Sequence, residues 1–210
     1  MIAPTLVRTG SPSRLPLNEI ARLGSSEAAL DLSKVVGRGI RIEAARMLIV
    51  RIGELQSLIG LRGESVVAVY LCAQGDMRGT VLLLLSVDGG RALVDMMRNL
   101  PPGSTASLGT IERSALGEVG KLTSGFVYRS LSNAAGLEAR LSPPAVMVTR
   151  ESTLLEATLV EPLDPTEDVL AMDVVFADDR RQVKAIIALV PEAPPLTALL
   201  EVLERNWQSR

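Results

Sequence analysis

Two glutamates in this chain are each followed three residues later by a basic side chain: Glu19 by Arg22, and Glu118 by Lys121. Ser114 stands four residues before Glu118. On a helix, steps of three and four bring side chains onto one face, about 5–6 Å apart at Cβ. Ser114, Glu118 and Lys121 therefore share a face, and Glu19 and Arg22 share another. Such a face can receive a partner of complementary charge, or it can carry an ordinary surface ion pair worth a few tenths of a kcal/mol. The chain has no histidine, which removes Ser/His and Cys/His nucleophile pairs and every histidine metal site. Any chemistry must run on carboxylates, amides, hydroxyls or bound water.

The elements that position these residues occur twice. Sliding Leu17–Gly37 by 99 positions onto Leu116–Gly136 gives seven identities, Leu17/Leu116, Glu19/Glu118, Leu23/Leu122, Ser25/Ser124, Leu32/Leu131, Ser33/Ser132 and Gly37/Gly136. Average residue usage gives roughly one or two by chance, so a duplicated unit is the better explanation. Leu17, Ile20, Ala21, Gly24, Ala28, Leu32 and Val35 recur at helical steps in the first copy, and Leu116, Val119, Gly120, Thr123 and Val127 do so in the second. Pro16 suits a first helical turn, and Gly37 and Gly136 suit helix ends. The small residues Ala21, Gly24, Gly120 and Thr123 let these helices lie close to a sheet or to each other. The matching glutamate and basic residue in both copies weigh toward a partner-binding face.

Strands follow each helix. Met47–Val50, Ser65–Cys72 and Gly79–Ser86 in the first copy, and Val146–Val148, Val169–Phe176 and Val183–Val190 in the second, are short runs rich in Val, Ile and Leu. Closing helices are predicted at Gly90–Asn99 and Pro195–Arg205. Gly75-Asp76, Asp88-Gly89-Gly90 and Asp178-Asp179 read as turns, and their spacing implies antiparallel pairing. The expected fold is α+β: a helix-strands-helix unit, duplicated, forming one domain with a shared and mainly antiparallel sheet under two long helices. Residues 1–14 read as a flexible tail and 15–210 as the domain. Within it one repeat covers about 15–100, a hinge 101–108, and the second repeat about 109–207.

Composition bounds the partners. With 22 Lys and Arg against 24 Asp and Glu, the formal charge is -2, which supplies no field to attract nucleic acid. Aromatic residues make up 2% of the chain, so the core must be aliphatic. The one cysteine, Cys72, cannot form an internal bridge; it reads as a small core residue and fits a reducing cytoplasm. Met1–Arg14 lacks the apolar centre of a signal peptide, and Val81–Leu85 is far shorter than the roughly 20 residues of a membrane helix. A soluble, cytoplasmic protein is expected. Glu161, Asp164, Glu167 and Asp168, interrupted by Pro162 and Pro165, read as a solvated loop without metal-ligand spacing. Pro143 and Pro144 read as the start of a strand.

The duplicated helix resembles that of the CheC/CheX/FliY family, whose members carry in each half an acidic residue, an asparagine three positions later and a proline beyond the helix. Ser114, Glu118 and a proline at Pro143 or Pro144 match that pattern, while Lys121 stands where the family places asparagine. In the first half Glu19 matches, Arg22 stands at the asparagine position, and Ala45 falls where the proline would be. Gly75–Val81 is similar to a glycine-flanked segment of the family. The resemblance spans Leu17 to about Trp207 and, with no flagellar switch domain appended, lies closest to CheC.

The resemblance implies a chemotaxis protein of two-component signalling that acts on a phosphorylated CheY-type response regulator. The glutamate would pair with a lysine of the regulator and the asparagine amide would orient the attacking water. Glu118, Ser114, Lys121, Glu19 and Arg22 are thus the implied site, in degenerate form. Ammonium and guanidinium groups donate hydrogen bonds and cannot accept them, so phosphatase activity is expected to be weak or lost. No cofactor is expected on this chain, Mg2+ being expected on the regulator. The alternative is a non-catalytic scaffold that binds another protein, for example a CheD-like deamidase. Oligomeric state is not readable.

Overall fold

The computed structural model describes residues 14–55, 58, 65–150, 153 and 167–209. The chain runs α1 (Arg14–Val36), β1 (Arg41–Arg51), a 3-10 turn (Ile52–Glu54), β2 (Ser65–Gly75), β3 (Arg78–Ser86) and α2 (Val87–Met97). It continues through α3 (Thr110–Ala135), β4 (Ala139–Leu141), β5 (Ala145–Arg150), β6 (Asp168–Ala177), β7 (Gln182–Ala193) and α4 (Leu196–Gln208). The α+β class and the predicted order of elements hold. The short β4 is an addition, its three residues carrying too little pattern to be read.

All strands pair antiparallel in one sheet, in the order β1-β6-β7-β3-β2-β4, with β5 also on β2. β4 and β5 occupy successive lengths of the same β2 edge: β4 covers Ala73–Gly75 and β5 covers Ser65–Tyr70. Between them Ser142 donates its N–H to the Cys72 carbonyl and accepts the Cys72 N–H on Oγ, both at 2.9 Å. The hydroxyl keeps the edge satisfied where the following prolines, lacking an N–H, interrupt the ladder. Exchanging β1 with β5, β2 with β6 and β3 with β7 maps the path β1-β6-β7-β3-β2-β5 onto itself. The burial sequence along Ser65–Ala73 is also the same as that along Asp168–Phe176.

Strand alternation divides the apolar residues between two faces. Val67, Val69, Leu71, Val81, Leu83 and Leu85 pack with the four helices, whereas Val66, Ala68, Leu82 and Leu84 pack on the far face with Ile52 and Leu55. Cys72 belongs to the far face, its sulfur 2.9 Å from the Tyr70 hydroxyl, and it is half-buried where a fully buried core residue was expected.

Several boundaries shift for local reasons. α1 begins at Arg14, inside the segment read as a tail; residues 1–13 lie outside the described ones. α2 begins at Val87, because the Ser86 hydroxyl accepts the Gly89 N–H at 2.8 Å and caps the helix. Asp88-Gly89-Gly90 is therefore the first turn of the helix and not a separate turn between elements. β1 is longer than Met47–Val50 and carries a bulge between Ala44 and Met47, which breaks the alternation a sequence reading relies on. Gly37 and Gly136 end their helices at φ +73° and +71°, as the residue type suggests.

The segment read as a hinge is tied down. Asp95 of α2, buried, accepts the N–H groups of Gly103, Ser104 and Thr105 and the Thr105 hydroxyl at 2.6–3.2 Å. Burial opposes its ionisation, but hydrogen bonds from Thr105, Gly103 and Ser104 outweigh that cost and lower its pKa. Nearby Asp178 binds Arg38 at 2.5 Å, and Arg38 also donates to the Met96 carbonyl. One buried polar cluster thus joins the end of α1, the end of α2 and the β6–β7 turn.

Candidate functional site

α1 and α3 lie against each other on the sheet because both carry small residues where they make contact. A Cβ added at Gly24 would come within 2.7 Å of the Val127 Cα of α3, and one added at Gly120 within 2.5 Å of Val69 Cγ1 of β2. Gly24 thus permits the helix–helix approach, and Gly120 the helix–sheet approach. Leu17, Ile20, Ala21, Ala28 and Leu32 are buried along α1, as Leu116, Val119, Thr123 and Val127 are along α3. Val35, expected on the buried stripe, is 63% exposed, and in the last turn its neighbour Val36 packs against the core instead.

With those stripes buried, the opposite faces point outward. On α3, Ile111, Ser114, Glu118 and Lys121 are exposed, each a helical step from the next. On α1 the outward face carries Glu19, Arg22, Leu23, Ser26 and Leu30, with Leu30 64% exposed. The predicted pairs therefore sit on solvent faces of the two helices. Ser114 stands about one turn before Glu118 on that shared face, and Ile111, Leu23 and Leu30 add exposed apolar surface that hydropathy patterning alone assigned to no role.

The two pairs differ in state. Arg22 donates Nε to Glu19 Oε2 at 2.9 Å and Nη2 to Oε1 at 2.5 Å. The Arg22 hydrogen bond holds the Glu19 carboxyl below its ordinary pKa, and the same bond raises that of Arg22. No ion pair joins Glu118 to Lys121 among the described residues. The arginine fork reaches its carboxylate at two points, a geometry the single lysine ammonium does not offer.

Around Glu118 the fold adds a neighbour. A Cβ built on Gly117 would meet Pro144 Cγ at 3.4 Å and Val146 Cγ2 at 3.5 Å. Pro144, and not the exposed Pro143, is therefore the proline set against α3 beside the glutamate. Position 45 lies in β1 at its bulge. Below Lys121 the α3 surface continues to Arg129, facing Arg140 of β4 across a groove; sequence reasoning missed both arginines, since β4 was not read. Among the described residues no group of three or more Cys, Asp or Glu could hold a metal ion, and no helix is long and apolar enough to cross a membrane. Glu161 and Asp164 lie outside the described residues.

No protein-family model matches the chain. The CheY-P phosphatase CheC of Bacillus subtilis is 21% identical over 180 residues, 84% of this chain and 86% of that protein. CheC1 of Halobacterium salinarum is 26% identical over 157 residues, 74% of this chain and 77% of that one. The crystal structure of Thermotoga maritima FliY superposes with a TM-score of 0.73 at 21% identity, covering 92% of this chain and 96% of that one.

Proposed function

We infer from these similarities that the chain belongs to the CheC/CheX/FliY family, and from that premise we propose that it docks onto a phosphorylated CheY-type receiver domain through the α3 face that carries Glu118, with weak or absent hydrolysis of the aspartyl phosphate. The observation that carries this reading is Glu118 itself, an exposed carboxylate outside any ion pair among the described residues, next in sequence to the Gly117 that packs on Pro144. Such a group is free to meet a lysine of the receiver.

Hydrolysis of an acyl phosphate requires a water held in line and charge balanced around it. At Lys121 the available group is an ammonium, which donates to phosphate oxygens but has no lone pair to accept a water proton. It favours binding of the phosphorylated form over its turnover. In this reading Mg2+ is a ligand of the receiver, and Ser114 lines the rim of the contact. Glu19 contributes less, because Arg22 already occupies its carboxylate.

The reading is supported further if the two halves descend from one unit, which we infer. The seven identities at a displacement of 99 residues, the exchange symmetry of the strand order and the repeated burial pattern of β2 and β6 support that origin. Under it, Arg22 and Lys121 are equivalent replacements at one ancestral position.

Mixing a phosphorylated receiver with the full chain and following phosphate loss tests the proposal. Little acceleration is expected from the natural chain, with binding lost in Glu118→Ala and acceleration gained in Lys121→Asn. Strong acceleration by the natural chain would overturn the binding-only role, and absence of receiver binding would overturn the reading entirely. That second result would favour the scaffold alternative, to which the apolar α1 face with Leu23 and Leu30 exposed lends support; a CheD-like deamidase would then be the first partner to titrate.

A further inference from the structure

A groove of about 500 Å³ runs from Lys121 away from Glu118, between α3 and β4. Its cations are Lys121, Arg129 and Arg140, all exposed. None of the three belongs to an ion pair among the described residues. The carboxylate on the opposite wall, Asp31, is engaged by Lys34 at 2.8 Å. In a chain of formal charge -2, this is a local reversal of sign.

The floor is apolar. Leu122, Phe126 and Leu141 line it, and the Arg129 guanidinium stands 5.3 Å from the centre of the Phe126 ring. That stacking holds the planar group while leaving its N–H edge available. Gly125, in the middle of the groove, keeps it open: a Cβ there would meet only Leu141 Cδ1, at 3.9 Å.

We propose that this groove binds an acidic, extended protein segment whose carboxylates straddle an apolar side chain. The eight steps from Lys121 to Arg129 span about 12 Å along a helix. One small anion cannot bridge that distance, whereas about four residues of extended chain at ~3.3 Å each can. A leucine-like side chain between the acids would cover Leu122, Phe126 and Leu141. A nucleic acid strand fits less well: of the two rings in the groove lining, Tyr128 is buried and Phe126 already has the Arg129 guanidinium over it. The proposal goes beyond receiver docking: it shares Lys121 with that face and otherwise concerns the surface leading away from Glu118, so its test rests on Gly125, Arg129 and Arg140.

The test is fluorescence polarisation with the labelled peptide Asp-Glu-Gly-Leu-Gly-Glu-Asp, its amide counterpart Asn-Gln-Gly-Leu-Gly-Gln-Asn, and an oligothymidylate of equal charge. Saturable binding of the acidic peptide is expected, weaker by about tenfold or more for the amide peptide and for Arg129→Glu combined with Arg140→Glu. Gly125→Leu keeps every charge and fills the groove, so it should weaken binding by a similar factor while thermal unfolding shows the fold retained. Equal binding of the amide peptide or of the oligothymidylate, no saturable binding of the acidic peptide, or undiminished binding by Gly125→Leu would each overturn the proposal.

Discussion

Arg22 closes on Glu19 through two hydrogen bonds, whereas Lys121 leaves Glu118 outside any ion pair among the described residues. Two positions that the sequence makes equivalent are thus in different electrostatic states. The first carboxylate is committed within its own helix, and the second is available. Partner binding should be correspondingly lopsided.

Titration of a phosphorylated receiver domain with single variants measures that asymmetry. Glu118→Ala should weaken binding by about tenfold, and Glu19→Ala by less than about twofold. Arg22→Ala releases Glu19 and should make the subsequent loss of Glu19 more costly. Equal effects of the two glutamate variants would show that the Arg22 contact opens without penalty.

Three helical glycines should respond to alanine with different signs. Gly24→Ala drives a methyl into the α3 backbone at 2.7 Å and Gly120→Ala drives one into Val69 at 2.5 Å; each should destabilise the fold by about 1–3 kcal/mol by forcing the layers apart. Gly125→Ala meets only an ordinary contact at 3.9 Å and should stabilise it by up to about 1 kcal/mol. Urea unfolding midpoints check all three, and Gly24 should be the most damaging because it faces backbone, which cannot change rotamer.

Acid should act through Asp95 and Asp178. Burial opposes their ionisation, yet hydrogen bonds from Thr105 and the 103–105 backbone at Asp95, and from the Arg180 and Arg181 N–H groups at Asp178, leave both pKa values lowered. A lowered folded-state pKa contributes stability that is present above the unfolded value of about 3.9 and lost as pH falls through the folded value. Their contribution should therefore stay level from neutral pH to about 5 and fall away below about 4. Asp95→Ala, followed by urea unfolding, should lose about 3 kcal/mol or more near neutral pH and show a shallower acid decline.

Alkali should act through Tyr128. Burial pushes its hydroxyl pKa up, and the hydroxyl donates to the Met77 carbonyl. A raised folded-state pKa contributes stability that is intact below the unfolded value of about 10 and lost as pH rises toward the folded one. Tyr128→Phe should cost about 1 kcal/mol at neutral pH and remove part of the alkaline loss, read from unfolding midpoints measured across that range.

Periodicity by itself determined the helices, the long strands and the antiparallel sheet, because a buried face imposes a helical or alternating rhythm wherever the element is long. It also revealed the repeated glutamate and basic residue, and that repetition led to the family. Tertiary structure decided what rhythm cannot carry. The β1 bulge breaks alternation, β4 is too short to show one, and Ser86 extends α2 backward through a single cap. Which carboxylate is committed and which is available depends on side-chain geometry, fork against ammonium. The groove of Lys121, Arg129 and Arg140 exists only because β4 folds back along α3, bringing together cations from elements whose proximity no local pattern encodes.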